Sequence, residues 1–110
     1  MSNSNLDILP RLFETILNRK GADPEASYTA KLFHKGRTAI AQKVGEEAVE
    51  VNIAALVEGP EALAAESADL LYHLMVLWAD VGVSPDEVFL ELAKREGLSG
   101  IEEKRARGEL

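Results

Sequence analysis

The chain has no cysteine, which excludes a disulfide scaffold, a thiolate zinc site and a cysteine nucleophile. Aromatic residues are scarce, at 5% of 110 residues, and the 46% hydrophobic content is carried mostly by Ala, Leu and Val. Together with Glu and Lys, that mixture favours helices over sheets, and no segment alternates with period two. Long hydrophobic runs are missing too. The best membrane-spanning candidate, 70–83, is interrupted by His73 and Asp80 and falls short of the required length. Positive charge is in deficit, with 12 Lys and Arg against 19 Asp and Glu, for a net charge of −7. Nucleic acid and anionic lipid repel such a chain, so neither is expected as a partner. A phosphate-bearing substrate is not excluded, because a bound cation inverts the local field. The first residues lack the basic start and apolar run of a secretory signal, and the expected location is the cytoplasm.

What is present reads as one domain over 1–110, with about 1–4 and 106–110 frayed. Leu6, Leu9, Leu12, Phe13, Ile16 and Leu17 recur at helical spacing and predict a helix over 5–19. Ser27 is placed to cap a short turn over 28–34, and Lys35-Gly36 breaks it. A long helix is expected over 37–58. Gly59-Pro60 then ends one helix and opens the next, over 60–81, because Gly suits a helix end and Pro a first turn. Ser84-Pro85-Asp86-Glu87 has the form of a capping box and opens a helix to about residue 95. Ser99 and Glu102 could cap a last short turn. The expectation is an all-α fold, a small bundle of about four helices around a central antiparallel hairpin. Folded chains of this length leave much apolar surface exposed, so dimerisation is expected to complete it.

Glu47 and Glu50 are three residues apart, as are Glu66 and Asp69, so each pair shares one helical face. Glu47 and Glu50 lie 12 and 9 residues before Gly59, and Glu66 and Asp69 lie 7 and 10 after it. At about 1.5 Å per residue, the two pairs differ in height by roughly 3 Å across the hairpin. Glu66, Asp69, His73 and Asp80 fall in one sector of a helix that is otherwise mostly apolar. Lys43, Glu46, Glu47 and Glu50 share a sector of the other helix. Solvated surface acids are the ordinary reading of any one of these residues. Four carboxylates brought level repel, and a hard divalent cation is the usual reason for a fold to keep them; magnesium prefers oxygen ligands and bridges carboxylates to phosphates.

The run Glu46-Glu47-x-x-Glu50, fifteen residues, then Glu66-x-x-Asp69 resembles the metal-binding motif of the all-α nucleoside-triphosphate pyrophosphatases, the MazG-like superfamily. Ser27-Tyr-Thr-Ala-Lys-Leu-Phe33, Gln42-Lys-Val-Gly-Glu-Glu-Ala-Val-Glu50, Glu66-Ser-Ala-Asp-Leu-Leu-Tyr-His73 and Ser99-Gly-Ile-Glu-Glu-Lys104 narrow the resemblance to the phosphoribosyl-ATP pyrophosphatases. It extends from Leu6 to about Arg107. The resemblance implies magnesium-dependent hydrolysis of phosphoribosyl-ATP to phosphoribosyl-AMP and pyrophosphate, the second step of histidine biosynthesis. It also implies a homodimer with the active site near the subunit interface.

By the same resemblance, Glu47, Glu50, Glu66 and Asp69 are the metal ligands, and Glu46, Glu47 and Glu50 the catalytic carboxylates. Glu46 orients or deprotonates water, holds a second ion, or is a solvated neighbour. Lys43 pairs with Glu47 as an (i, i+4) contact or reaches a phosphate. Lys31, Lys35 and Arg37 surround Gly36, and Arg37 and Lys31 are the basic candidates for substrate binding, against the default of solvated surface. His73 bonds to Asp69 or substrate, or is a satisfied core histidine. Tyr28 is expected to pack in the core or an interface rather than stack on a base. Two rival readings stay open: a housecleaning pyrophosphatase for noncanonical or deoxy nucleotides, and a non-catalytic helical dimerisation module.

Overall fold

The computed structural model describes residues 5–96 and 100–109, and these residues form helices and no strand. A 3-10 turn, Asn5–Asp7, leads into α1 (Ile8–Leu17). This helix ends two residues before its expected limit. The Arg19 and Lys20 amides bond to the Ile16 and Leu17 carbonyls, three residues back, and Gly21 follows at φ 78°. Ser27 caps α2 (Tyr28–Lys35) as expected, its hydroxyl accepting from the Ala30 amide at 3.1 Å. Gly36, at φ 101°, turns the chain into α3 (Arg37–Ile53).

The expected path continues to residue 58, but its last turn, Ala54–Glu58, is a π-helix. There the Gly59 amide reaches back five residues to the Ala54 carbonyl, at 3.0 Å. α4 (Pro60–Val81) has the expected bounds, with Pro in its first turn and left-handed Gly82 at its end. The capping box forms at α5 (Pro85–Ala93): Ser84 Oγ accepts from the Glu87 amide at 3.2 Å, and Glu87 Oε1 from the Ser84 amide at 3.1 Å. α5 stops two residues before 95 because the chain tightens after Ala93, where the Arg95 and Glu96 amides bond three residues back. α6 (Gly100–Ala106) reaches Ala106, the first residue of the stretch expected to fray. Its expected cap, Ser99, lies outside the described residues.

The central element is the antiparallel α3–α4 hairpin, with α1 against α4 and α2 against α3. The core gathers at the open end of this hairpin: Phe13 and Ile16 from α1, Leu32 from α2, Ile40 from α3, and Met75, Val76 and Ala79 from α4. Lys20 reinforces that end by donating to the Ala79 carbonyl at 3.1 Å. The closed end is different. Between residues 41 and 72, Ala54 alone is buried. Val49, Ile53, Leu56 and Val57 are exposed, Leu56 at 83% and Val57 at 77%. On the neighbouring helix Ala64, Ala65, Ala68 and Leu71 are exposed as well. The hairpin therefore carries its carboxylates between a packed base and an apolar, uncovered tip. No described helix is long and apolar enough to cross a membrane.

Candidate metal centre

Glu47 projects from α3, and Glu66 and Asp69 from α4. One carboxylate oxygen from each lies within 4.8 Å of the other two. The hairpin register brings Glu47 level with the (i, i+3) pair on α4, and that pair keeps both its carboxylates on one side. Glu50 is exposed and lies outside this trio, although its charge is felt at Glu66. Burial raises the Glu66 carboxyl above its ordinary value, and Asp69, Glu50, Glu47 and Glu58 push it further in the same direction. These are oxygen donors with no soft ligand among them, a set suited to a hard divalent cation.

Lys43 is the cation at the edge of the trio. Its Nζ lies 3.5 Å from Glu47 and 3.8 Å from Glu46. The Tyr28 hydroxyl raises the Lys43 ammonium above its usual value; partial desolvation opposes this, while Glu47 and Glu46 add to it. Glu46 is exposed, accepts from Gln42 Nε2 at 3.3 Å and stands outside the trio.

His73 is buried and has both ring nitrogens occupied. Its Nδ1 is 2.7 Å from the Asp69 carbonyl and its Nε2 is 2.9 Å from the Tyr28 hydroxyl. A carbonyl only accepts, so Nδ1 carries the proton; in the neutral ring Nε2 then accepts from Tyr28. His73 is a satisfied core histidine whose partner is the backbone of Asp69, not its carboxylate. Tyr28 is not packed away in the core. It is 51% exposed, and its ring meets His73 edge-on with centroids 5.8 Å apart. Burial of its hydroxyl raises the Tyr28 pKa, against the lowering effect of Lys43. A hydroxyl contact between Thr29 and Tyr72 joins α2 to α4 beside this pair.

The basic candidates separate. Arg37 is engaged by Asp80, donating from Nε to Oδ2 at 2.8 Å and from a terminal nitrogen to the Asp80 carbonyl at 3.2 Å. Asp80 follows Asp69 by eleven residues, about 16 Å along the helix, so this pair fastens the base of the hairpin rather than the acidic centre. Lys31 is exposed on α2. Lys35, grouped with them by sequence but not preferred, lines a cleft of about 350 Å³ between α2 and α3 with Tyr28, Lys43 and Glu46. Spacing held a signal for this, since Tyr28, Leu32 and Lys35 recur at helical intervals on one face.

Residues 9–96 match the family described as Phosphoribosyl-ATP pyrophosphohydrolase. The chain is 65% identical over 101 residues to a phosphoribosyl-ATP pyrophosphatase of Rhodospirillum rubrum, covering 92% of this chain and 86% of that protein. It is also 65% identical over 100 residues to one of Azospirillum brasilense, covering 91% and 90%. A phosphoribosyl-ATP pyrophosphatase of Caulobacter vibrioides is 57% identical over 107 residues, covering 97% and 99%.

The raised Glu66 pKa has a consequence for the metal-free protein. Its folded value lies above 4.5, so in that window the folded state binds more protons than the unfolded one and stability falls as pH rises. With EDTA present, denaturant titrations from pH 4.5 upward should show Glu66→Gln losing this part of the slope. The variant should be at least as stable as wild type at pH 7. A wild-type-minus-variant difference that stays flat as pH rises contradicts the raised Glu66 pKa.

Proposed function

The chain belongs to the phosphoribosyl-ATP pyrophosphohydrolase family, and on that premise we propose that it hydrolyses phosphoribosyl-ATP to phosphoribosyl-AMP and pyrophosphate in histidine biosynthesis, with magnesium and in the cytoplasm. The observation that carries this reading is the trio Glu47, Glu66 and Asp69, whose oxygens converge within 4.8 Å. These residues would hold the ion, with Glu50 joining by rotation of its exposed side chain. When bound, magnesium neutralises polyphosphate charge and polarises the phosphoryl group under attack.

The remaining work falls to side chains around the trio. Lys43 restrains Glu47 and Glu46 and presents an ammonium to the polyphosphate. Glu46, on the lining of the cleft, orients the attacking water and accepts its proton. The ring of His73 stays out of the ion's reach: its two hydrogen bonds fix the turn of α4 bearing Asp69 and hold the Tyr28 hydroxyl at the site's edge. This reading gives Arg37 and Lys31 no role: Arg37 pairs with Asp80 and Lys31 stands outside the cleft lining.

We read the chain as one half of a homodimer. Val49, Ile53, Leu56 and Val57 form an apolar stripe at the hairpin tip, at the period of a helix face. The radius of gyration is 16.2 Å, against about 13 Å for a compact chain of this length. A second copy covering the tip would bury this stripe and bring the interface close to Asp69.

Pyrophosphate release should be strong on phosphoribosyl-ATP and weak on ATP, dCTP and dUTP, and EDTA should abolish it. Glu47→Gln should lower kcat on the order of 100-fold or more, the scale on which a lost transition-state charge contact acts. Preference for the simple nucleotides moves the chain to housecleaning hydrolysis, and silence on all four removes the catalytic reading. For assembly, sedimentation should give twice the 12.0 kDa chain mass and Leu56→Asp should shift it toward one chain. A monomeric wild type at tens of micromolar would end the homodimer reading.

A further inference from the structure

Phosphoribosyl-ATP carries anionic charge at two ends. One is the triphosphate; the other is the phosphate of the added ribose, on the far side of the adenine. The acidic centre, once it holds a cation, suits only the first. The second needs a fixed cation of the protein, and a chain of net charge −7 has few to offer nearby. Lys43 is already drawn to Glu47 and Glu46, and Arg37 to Asp80. Lys35 has no ion-pair or hydrogen-bond partner among the described residues, and it lines the cleft between α2 and α3.

The cleft has the right placement and surface. Its lining on α3 runs from Glu46, next to Glu47, through Lys43 and Gln42 to Ala39, and α2 contributes Lys35. From Glu46 to Ala39 is seven residues, about 10 Å along the axis, so its far end is set apart from the metal trio by roughly the span of a nucleoside. Buried Leu32 and half-buried Ala39 give it an apolar wall, suited to the carbon face of a sugar. Gln42 donates one amide hydrogen to Glu46, leaving its amide oxygen for a ribose hydroxyl. A volume of about 350 Å³ lies at the small end of the ~300–1,000 Å³ typical of ligand pockets, enough for a ribose phosphate but not for the whole substrate.

We infer that this cleft binds the phosphoribosyl end of the substrate, with Lys35 taking its phosphate and Gln42 a ribose hydroxyl, and that it distinguishes phosphoribosyl-ATP from ATP. The inference rests on the substrate proposed above. Specificity then lies on α2 and the first half of α3, and phosphoryl chemistry on the second half of α3 and the start of α4.

Steady-state kinetics with purified full-length protein test it. Lys35→Ala should raise KM for phosphoribosyl-ATP about tenfold, on the scale of one lost charge-assisted hydrogen bond, with kcat within about twofold. Lys35→Glu should raise KM further, and Lys35→Arg should restore most of the binding. Inhibition by phosphoribosyl-AMP should weaken in parallel, and inhibition by AMP should not. An unchanged KM, a fall in kcat instead, or equal weakening by AMP would overturn the assignment; the last would give the cleft to the adenosine shared by both ligands. Calorimetric titration of wild type and Lys35→Glu with phosphoribosyl-AMP reads the same contact without turnover. A wild type that binds phosphoribosyl-AMP through Lys35 but does not hydrolyse phosphoribosyl-ATP defeats the proposed reaction and supports the cleft. Equal binding by both proteins defeats the cleft whatever the reaction.

Discussion

Three carboxylates from two helices, converging within 4.8 Å, repel one another, and the hairpin that carries them must be held closed by something else. The apolar base does this. Phe13, Ile16, Leu32, Ile40, Met75, Val76 and Ala79 pack the open end of α3–α4 against α1 and α2, and the Arg37–Asp80 and Lys20–Ala79 contacts tie the same end. With the base fixed, the register of the hairpin is fixed, and Glu47 has no choice but to face Glu66 and Asp69. Lys43 relieves one side of this repulsion. Burial and the remaining repulsion together raise the proton affinity of Glu66, and a hard cation would relieve the repulsion more completely than a proton.

Beside the acidic centre lies a polar network. Tyr28, His73, Thr29 and Tyr72 link α2 to α4 through hydroxyl and imidazole contacts that leave no buried polar side-chain atom unpartnered among the described residues. This network sets the position of the Asp69 turn without competing for the ion. It also anchors the N-terminus of α2, and so one wall of the cleft, to the same turn. The cleft and the acidic centre are therefore coupled through backbone and ring contacts as well as through Lys43, which lines the one and pairs with Glu47 of the other.

Much of this was legible in local chemistry. The α4 bounds follow from Pro60 and Gly82, the α2 cap from Ser27, and the α5 box from Ser84 and Glu87, because each depends on residues a few positions apart. The meeting of Glu47 with Glu66 and Asp69 was legible too, since hairpin register is arithmetic on helical rise. What spacing could not give was side-chain direction and long-range partnership. Glu50 shares a face with Glu47 yet its carboxylate stands apart from the trio, a matter of side-chain direction that helical spacing does not set. Arg37 looked free to meet a phosphate, but Asp80 claims it from 43 residues away. His73 was placed near Asp69, but its bond to the carbonyl rather than the carboxylate depends on rotamer. Tyr28, expected in the core or an interface, stands outside the core because its hydroxyl reaches across to His73. The π turn at Ala54–Glu58 has no sequence signature.

The central claim is that Glu47, Glu66 and Asp69 form a divalent-cation site in a chain of otherwise unfavourable charge crowding. Manganese shares magnesium's preference for hard oxygen ligands, and its free aqueous form has a sharp electron paramagnetic resonance spectrum. Titrating manganese into the full-length protein, with no nucleotide present, reads binding at this site directly. Saturable loss of the free-ion signal in wild type, weakened by Asp69→Asn and by Glu47→Gln but not by Glu91→Gln on α5, is the predicted result. A free-ion signal unchanged by wild type, or one quenched equally by all four proteins, would contradict the account.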